Sequence, residues 1–260
     1  MAILRFPPAQ VDLCASWFDT IETSDPWTEM GAIGEGESEA IRVTNHAGLN
    51  GVAKPGKPKT DGVCRAAHEK IAADLAHTLG LPVPPVVLWD RGNEHEANRY
   101  LSISAWAFPQ AVKWDTAQKM GFLTADLIAS AGPAVSAMLV FHTWISDTDR
   151  KSDHTQINVD SPEDELGTAF IDHAFSMSYV WKAADHPAGA CPRYMPAPEL
   201  PEIMTQTADR IAALAVEEVT RLVNRLPLAY LPQPQRGHIL SNLVSRKARL
   251  RDILGLSSGG

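Results

Sequence analysis

Polar and apolar positions change their period near the middle of this 260-residue chain. In the first part they alternate over short runs. "EAIRVTN" (Glu39 to Asn45) and "GVAKPG" (Gly51 to Gly56) flank the turn residues of "AGLNG". This predicts a hairpin that carries Lys54 and is ended by Pro55 and Gly56. A helix follows in "CRAAHEKIAADLAHTLG", where Ile71, Leu75 and Leu79 recur every fourth residue and Gly80 supplies the stop. "LPVPPVVLWD" and "RYLSISAWAF" predict two more strands, the second leading into a break at Pro109.

From about Asp115 onward the period is helical. "TAQKMGFLTADLIAS" and "PAVSAMLVFHTWISD" each predict a helix, with Pro133 suited to a first turn. "INV" and "TAFID" predict a short hairpin around the acidic turn "DSPEDELG". The Pro-, Ala- and Gly-rich stretch from Ala183 to Leu200 predicts an irregular connection. "ADRIAALAVEEVTRLVNRL", with Ile211, Ala215, Val219 and Leu222 on one stripe, and "HILSNLVSRKARLRDIL" predict the closing helices. There is no internal repeat and no low-complexity tract.

A hydrophobic content of 45% supports a packed core, as one large domain or as two lobes sharing a cleft. The net charge of -8 repels a phosphate backbone, so nucleic acid is not an expected partner. Cys14, Cys64 and Cys191 are odd in number and far apart, which fits neither a disulfide framework nor a CxxC metal site and is consistent with a reducing cytoplasm. With no run of about 18 apolar residues, neither a membrane span nor export is expected.

The candidate chemistry begins at Lys54, on a strand between apolar neighbours. Alone, it reads as an edge lysine facing water. Glu69 shares a helix face with the small residues Ala73 and Ala76, so that face can lie close to a sheet and reach a strand lysine; its plainer role is a charge near a helix start. The stretch "ISDTDRKSDHTQINVD" holds Asp147, Asp149 and Asp153, and Asp172 lies across the hairpin. Two such carboxylates about 4 Å apart repel by roughly 4 kcal/mol at an effective dielectric near 20, so a cluster of them calls for a cation, with Mg²⁺ the oxygen-seeking candidate. Solvent-facing aspartates in a turn are the alternative.

His154 and His173 each follow an aspartate, and His142 lies on the preceding helix, a set compatible with a metal-dependent phosphohydrolase. The Asp-His order in strand context disfavours that reading, because the helical phosphohydrolase signature runs His-Asp. The basic run Arg246, Lys247, Arg249 and Arg251 is expected to form the solvated face of a terminal helix, with Leu250 and Ile253 inward.

The linear order is more telling than any single residue. A strand lysine, a helix glutamate, two strands, a helical half, an Asp-rich loop and a hairpin ending in "FIDHAFS" follow the order of a protein-kinase-like fold. More narrowly, "GVAKPG", "HEKIAADLAHTLGLPVPPVVL", "VFHTWISDTDR", "TAFIDHAFSM" and "SRKARLRDIL" resemble the HipA-like kinases, atypical relatives of the serine/threonine and phosphatidylinositol kinases. The matching stretches lie between Val43 and Leu254; "LGLPVP" and "WISDTDR" are the most specific.

The resemblance implies an α+β, bilobal fold: a small β-rich, nucleotide-covering lobe with one helix over residues 1–105, and a larger, mostly helical lobe over 106–260. It implies a kinase using ATP and Mg²⁺ or Mn²⁺, acting on a protein serine or threonine hydroxyl; a small-molecule kinase and a nucleotide-binding pseudokinase are the alternatives. Lys54 then serves the nucleotide α- and β-phosphates and Glu69 orients it. Asp149 positions or deprotonates the acceptor, Asp172 binds metal, and Ser104, Ala105 and Trp106 form the hinge that reads adenine.

Two departures from the family pattern stand out. The metal-binding asparagine after the Asp-Arg pair is missing, and the nearest positions are His154, whose imidazole prefers softer metals than Mg²⁺, and Gln156, one methylene longer. Asn158 is expected within the strand. The nucleotide-covering loop "NHAGLNG" holds only Gly48 and Gly51. "GAIGEGESEA" is an alternative phosphate loop, but its three glutamates repel phosphate.

Overall fold

A computed structural model describes residues 8–33, 39–56, 65–92, 99–147, 149–160, 166–177 and 195–256. Cys64, Cys191, the middle of "GAIGEGESEA", most of the acidic turn and most of the stretch from 183 to 200 lie outside them. Among the described residues no helix is long and apolar enough to cross a membrane.

Five strands, β1 (Trp27–Ala32), β2 (Ile41–Asn45), β3 (Asn50–Pro55), β4 (Val86–Asp90) and β5 (Tyr100–Ala105), make one antiparallel sheet in the order β1-β2-β3-β5-β4. The β2–β3 hairpin is as expected, closed by Asn45, whose Oδ1 accepts from the backbone N–H groups of Ala47 and Leu49. Alternation decides which way β3 faces. Gly51, Ala53 and Pro55 are buried, so Val52 and Lys54 fall on the opposite face. β4 starts at Val86, later than the apolar run suggests, because Pro82, Pro84 and Pro85 have no N–H for the ladder.

The helix α2 (Arg65–Leu79) matches the four-residue repeat, and Gly80, at φ +62°, ends it with its N–H on the His77 carbonyl. It is buried on almost every side because it lies between the sheet and the helical half, within one apolar cluster that includes Trp114, Phe141 and Trp144. A further helix, α1 (Pro8–Asp19), joins this lobe and was not expected: Trp17 meets Trp27 edge-on, with ring centroids 6.0 Å apart, and Phe18 packs against His77. The lobe therefore carries two helices.

The second lobe comprises α3 (Trp114–Lys119), α4 (Ala125–Ser130), α5 (Gly132–Trp144), α6 (Pro201–Ala213), α7 (Val216–Asn224), α8 (Gln233–Ala248) and α9 (Leu250–Leu254). A small antiparallel sheet, β6 (Ala111–Lys113), β7 (Thr155–Asn158) and β8 (Thr168–Phe170), contains the expected hairpin plus one strand. "TAQKMGFLTADLIAS" divides at Gly121, φ +71°, and Thr124 caps α4 by accepting from Leu127 N–H. The stripe of Ile211 to Leu222 likewise divides, because Leu214 and Ala215 are extended.

One expectation about the last helix is overturned. Arg246 is 1% exposed and donates to the carbonyls of Thr143 and Trp144 at the end of α5, and Lys247 donates to the carbonyl of Leu214. These cations satisfy helix C-terminal carbonyls, which carry partial negative charge and need donors. Only the outer part of the run matches a surface face: Arg249 is exposed and Arg251 pairs with Asp209.

Candidate active site

Where β3 runs past α2, Lys54 Nζ lies 2.8 Å from Glu69 Oε1 and 3.0 Å from Asp172 Oδ1. The sequence separations are large, but α2 presses its small-residue face against the sheet and brings Glu69 to the strand. Burial works against the lysine's charge. The two carboxylates outweigh it and hold the Lys54 ammonium above the ordinary lysine pKa. Asp172, despite its own burial, is held well below the usual carboxylate range, chiefly by Lys54. Glu69 is engaged on both oxygens, since its Oε2 accepts the backbone N–H of His173 at 3.0 Å.

Asp172, two residues beyond β8, has φ +67°, while Ser146, just beyond α5, has φ +54°. Left-handed backbone at residues other than glycine costs energy and persists only where surrounding contacts enforce it. The enforcing contacts come largely from Arg150. Its Nη1 donates to the carbonyls of Ile171 and Asp172, both at 2.8 Å, and lies 3.3 Å from Asp147 Oδ2. Ile171 N–H donates to the His154 carbonyl at 2.9 Å, completing the seam between the Asp-rich loop and the segment after β8.

Asp147, one of the loop aspartates for which a solvent-facing position was the alternative, is 1% exposed, and burial pushes its carboxyl up to about 6 against the pull of Arg150. Sequence reading missed this because a buried and an exposed aspartate look alike in a loop; its i,i+3 spacing to Arg150 was the available hint. Asp149 faces outward, 44% exposed, with Lys151 Nζ 3.3 Å from its Oδ1. Asp153 lies 3.9 Å from Lys113 Nζ at a half-exposed edge.

His154 Nε2 is 3.7 Å from Asp172 Oδ2 and 3.8 Å from Asp153 Oδ1. Both gaps exceed a hydrogen bond, and Asp153 Oδ1 has no hydrogen-bond partner among the described residues. Ligand bonds of about 2.1 Å to one shared ion would span gaps of this size. Burial, then the charge of Arg150, lowers the His154 pKa, which leaves the imidazole neutral and able to ligate near neutral pH. The donor set thus fits a divalent cation. Gln156 sits on β7 opposite Lys113 and Ala169.

The strands β3, β4 and β5, the helix α2, and β7, β8 and the segment after it bound a cleft between the lobes, of about 430 Å³ with its open mouth included. Val52, Val83 and Val86 line its sheet side, and Phe170 and Gln156 lie on the opposite wall. Ser104, Ala105 and Trp106 also line it, where β5 leaves the sheet; Lys54, Glu69 and Asp172 lie at its polar edge. The lobes are joined beside it by Phe170 N–H, which donates to the Pro82 carbonyl at 2.8 Å. Of the residues singled out from sequence, Lys54, Glu69, Ser104, Ala105, Trp106, Gln156 and Asp172 line this cleft; His154 approaches through Asp172, and Asp149 is not among the lining residues.

No protein-family model and no curated protein matches the sequence. Solved structures do. The proinflammatory kinase CtkA of Helicobacter pylori is 12% identical with a TM-score of 0.61, over 90% of this chain and 96% of that one. The Golgi casein kinase with Mn and ADP bound is 9% identical with a TM-score of 0.54, over 93% and 76% of the two chains. A second structure of the Golgi casein kinase gives 10% identity and a TM-score of 0.52, over 99% and 78%. Identities this low speak to architecture alone, and on that ground the chain has a protein-kinase-like fold, a β-sheet lobe set against a helical lobe.

Proposed function

We propose that this chain is an ATP-dependent phosphotransferase of the HipA-like type that acts on a protein serine or threonine hydroxyl. The observation that carries the reading is the convergence of Lys54, Glu69 and Asp172, from strand, helix and loop, at the polar edge of an otherwise largely apolar cleft. In this reading residues 1–105 cover the nucleotide, and residues 106–260 supply the catalytic loop and the acceptor surface.

Each assignment follows from what phosphoryl transfer needs, which is positioning and neutralisation of charge. Val52, Val86 and Phe170 offer apolar faces to a purine, and the backbone of Ser104 to Trp106 its polar edge. Lys54, cationic at any physiological pH, holds the α- and β-phosphates, and Glu69 fixes its direction. The acceptor oxygen bonds to the terminal phosphorus while the bond to the ADP oxygen breaks, and the hydroxyl proton passes to the Asp149 carboxylate. Asp149 can do this because it is exposed on the loop that Arg150 anchors. Asp172, His154 and Gln156 are the residues to hold Mg²⁺ or Mn²⁺, which when bound supplies positive charge against the phosphates.

A pseudokinase is the second reading, favoured by an imidazole where the resembling family has a metal-binding asparagine. Labelled ATP with Mg²⁺ or Mn²⁺, tested on the wild type and on Asp149→Ala and Asp172→Ala, separates the two. Transfer abolished by both substitutions supports the kinase. Nucleotide binding without transfer supports the binding module, and no nucleotide binding by the folded protein overturns both. Label recovered on a small molecule in place of protein would redirect the acceptor assignment.

A further inference from the structure

His142 in the last turn of α5, Asp147 in the loop beyond it and His173 just after Asp172 meet in the interior, each no more than 1% exposed. One ligand atom from each lies within 4.8 Å of the others. The two imidazoles face one another through Nε2, 3.2 Å apart. Asp147 turns Oδ2 towards Arg150 at 3.3 Å, and its Oδ1 accepts no hydrogen bond among the described residues.

A simple N–H···N bond between the imidazoles accounts for the 3.2 Å but leaves the buried Asp147 Oδ1 without a partner among the described residues, which is unfavourable for a carboxylate oxygen. A tetrahedral ion with Zn–N bonds of about 2.0–2.1 Å separates two ligand nitrogens by roughly 3.3 Å and gives Oδ1 a partner. We propose that His142, Asp147 and His173 form a buried zinc-type site, separate from the cation position at Asp172 and His154.

The donor chemistry selects the metal class. Two imidazoles and one carboxylate suit Zn²⁺ or Co²⁺, whereas Mg²⁺ takes oxygen ligands and keeps its waters. Asp147 is shared between Arg150 and the ion, as ligating carboxylates are commonly hydrogen-bonded in turn. His173 Nδ1 lies 4.0 Å from Glu69 Oε2, which places a carboxylate behind that ligand as well. Three protein donors leave one tetrahedral position to a water, and with every ligand side chain no more than 1% exposed the site's role is to hold the fold together. It fastens the end of α5 to the loop holding Asp149 and to the segment holding Asp172, and so couples metal occupancy to the shape of the cleft.

Co²⁺ titration of chelator-treated, tag-free protein tests this. The expected result is one Co²⁺ per chain with the intense visible d–d absorption of tetrahedral coordination, displaced by Zn²⁺ and retained in the His154→Asn/Asp172→Asn double variant. Asp147→Asn and His142→Gln, shown to be folded by circular dichroism, should bind at least tenfold more weakly. Should those variants not fold, X-ray absorption of the Zn²⁺-loaded double variant decides, with two imidazole ligands expected. Folded wild type without a d–d band, a band lost in the double variant, or a spectrum without imidazole scattering would each overturn the proposal.

Discussion

Lys54 Nζ lies between two carboxylates from different elements, Glu69 at 2.8 Å and Asp172 at 3.0 Å. Glu69 passes the connection on to the backbone of His173, so strand, helix and loop share one network.

Removing that cation should cost both binding and stability. Lys54 has a raised folded pKa, so its contribution is complete below the unfolded lysine value of about 10.4 and is lost as pH climbs through the folded one. Asp172 has a lowered folded pKa, so its contribution is complete above the unfolded aspartate value of about 3.9 and is lost as pH falls through the folded one. Lys54→Met should therefore lower unfolding free energy by about 3 kcal/mol near neutral pH, and the penalty should shrink towards pH 5 as the two buried carboxylates left without their cation take up a proton. Urea denaturation at several pH values checks it, and a penalty that does not shrink between pH 7 and pH 5 would refute the pairing.

Asp149→Asn should behave in the opposite way. Its carboxylate is 44% exposed and its ion pair is with the exposed Lys151, so stability should stay within about 0.5 kcal/mol of wild type. Phosphate transfer should drop by about 100-fold or more with nucleotide affinity unchanged, since a general base contributes to the reaction and not to ground-state binding. Single-turnover kinetics beside nucleotide titration calorimetry measures the two separately.

His154→Asn restores an amide oxygen beside Asp172 in place of a neutral imidazole. Nucleotide-dependent Mn²⁺ affinity, followed by electron paramagnetic resonance, should fall at least severalfold relative to Mg²⁺. An unchanged Mn²⁺ to Mg²⁺ preference would remove His154 from the metal's ligands.

Gly51 is fixed by close approach, not by backbone angle. A Cβ there would meet Ile103 Cγ2 at 2.7 Å and the Ser104 carbonyl oxygen at 3.1 Å. Gly51→Ala should push β3 from β5, destabilise by about 1–3 kcal/mol and weaken nucleotide binding, because Val52 and Ser104 line the cleft on either side of that contact. Thermal unfolding with and without nucleotide reports both effects.

The sequence by itself determined the local elements and the order in which chemistry-bearing residues appear. Strand alternation put Lys54 on a face, the four-residue repeat and Gly80 bounded α2, and turn residues set the hairpin before Asp172, all from short-range backbone preferences. Three segments that read as single helices break at Gly121, Leu214 and Arg249, where packing of neighbouring elements outweighs a continuous apolar stripe. Only the tertiary structure decided burial. It turned Arg246 from a surface cation into a donor for buried carbonyls, and it sent Asp147 inward while leaving Asp149 in water. Residues two apart in one loop carry the same local signal, and what separates them is the dry environment that α5, Arg150 and the segment after β8 build together.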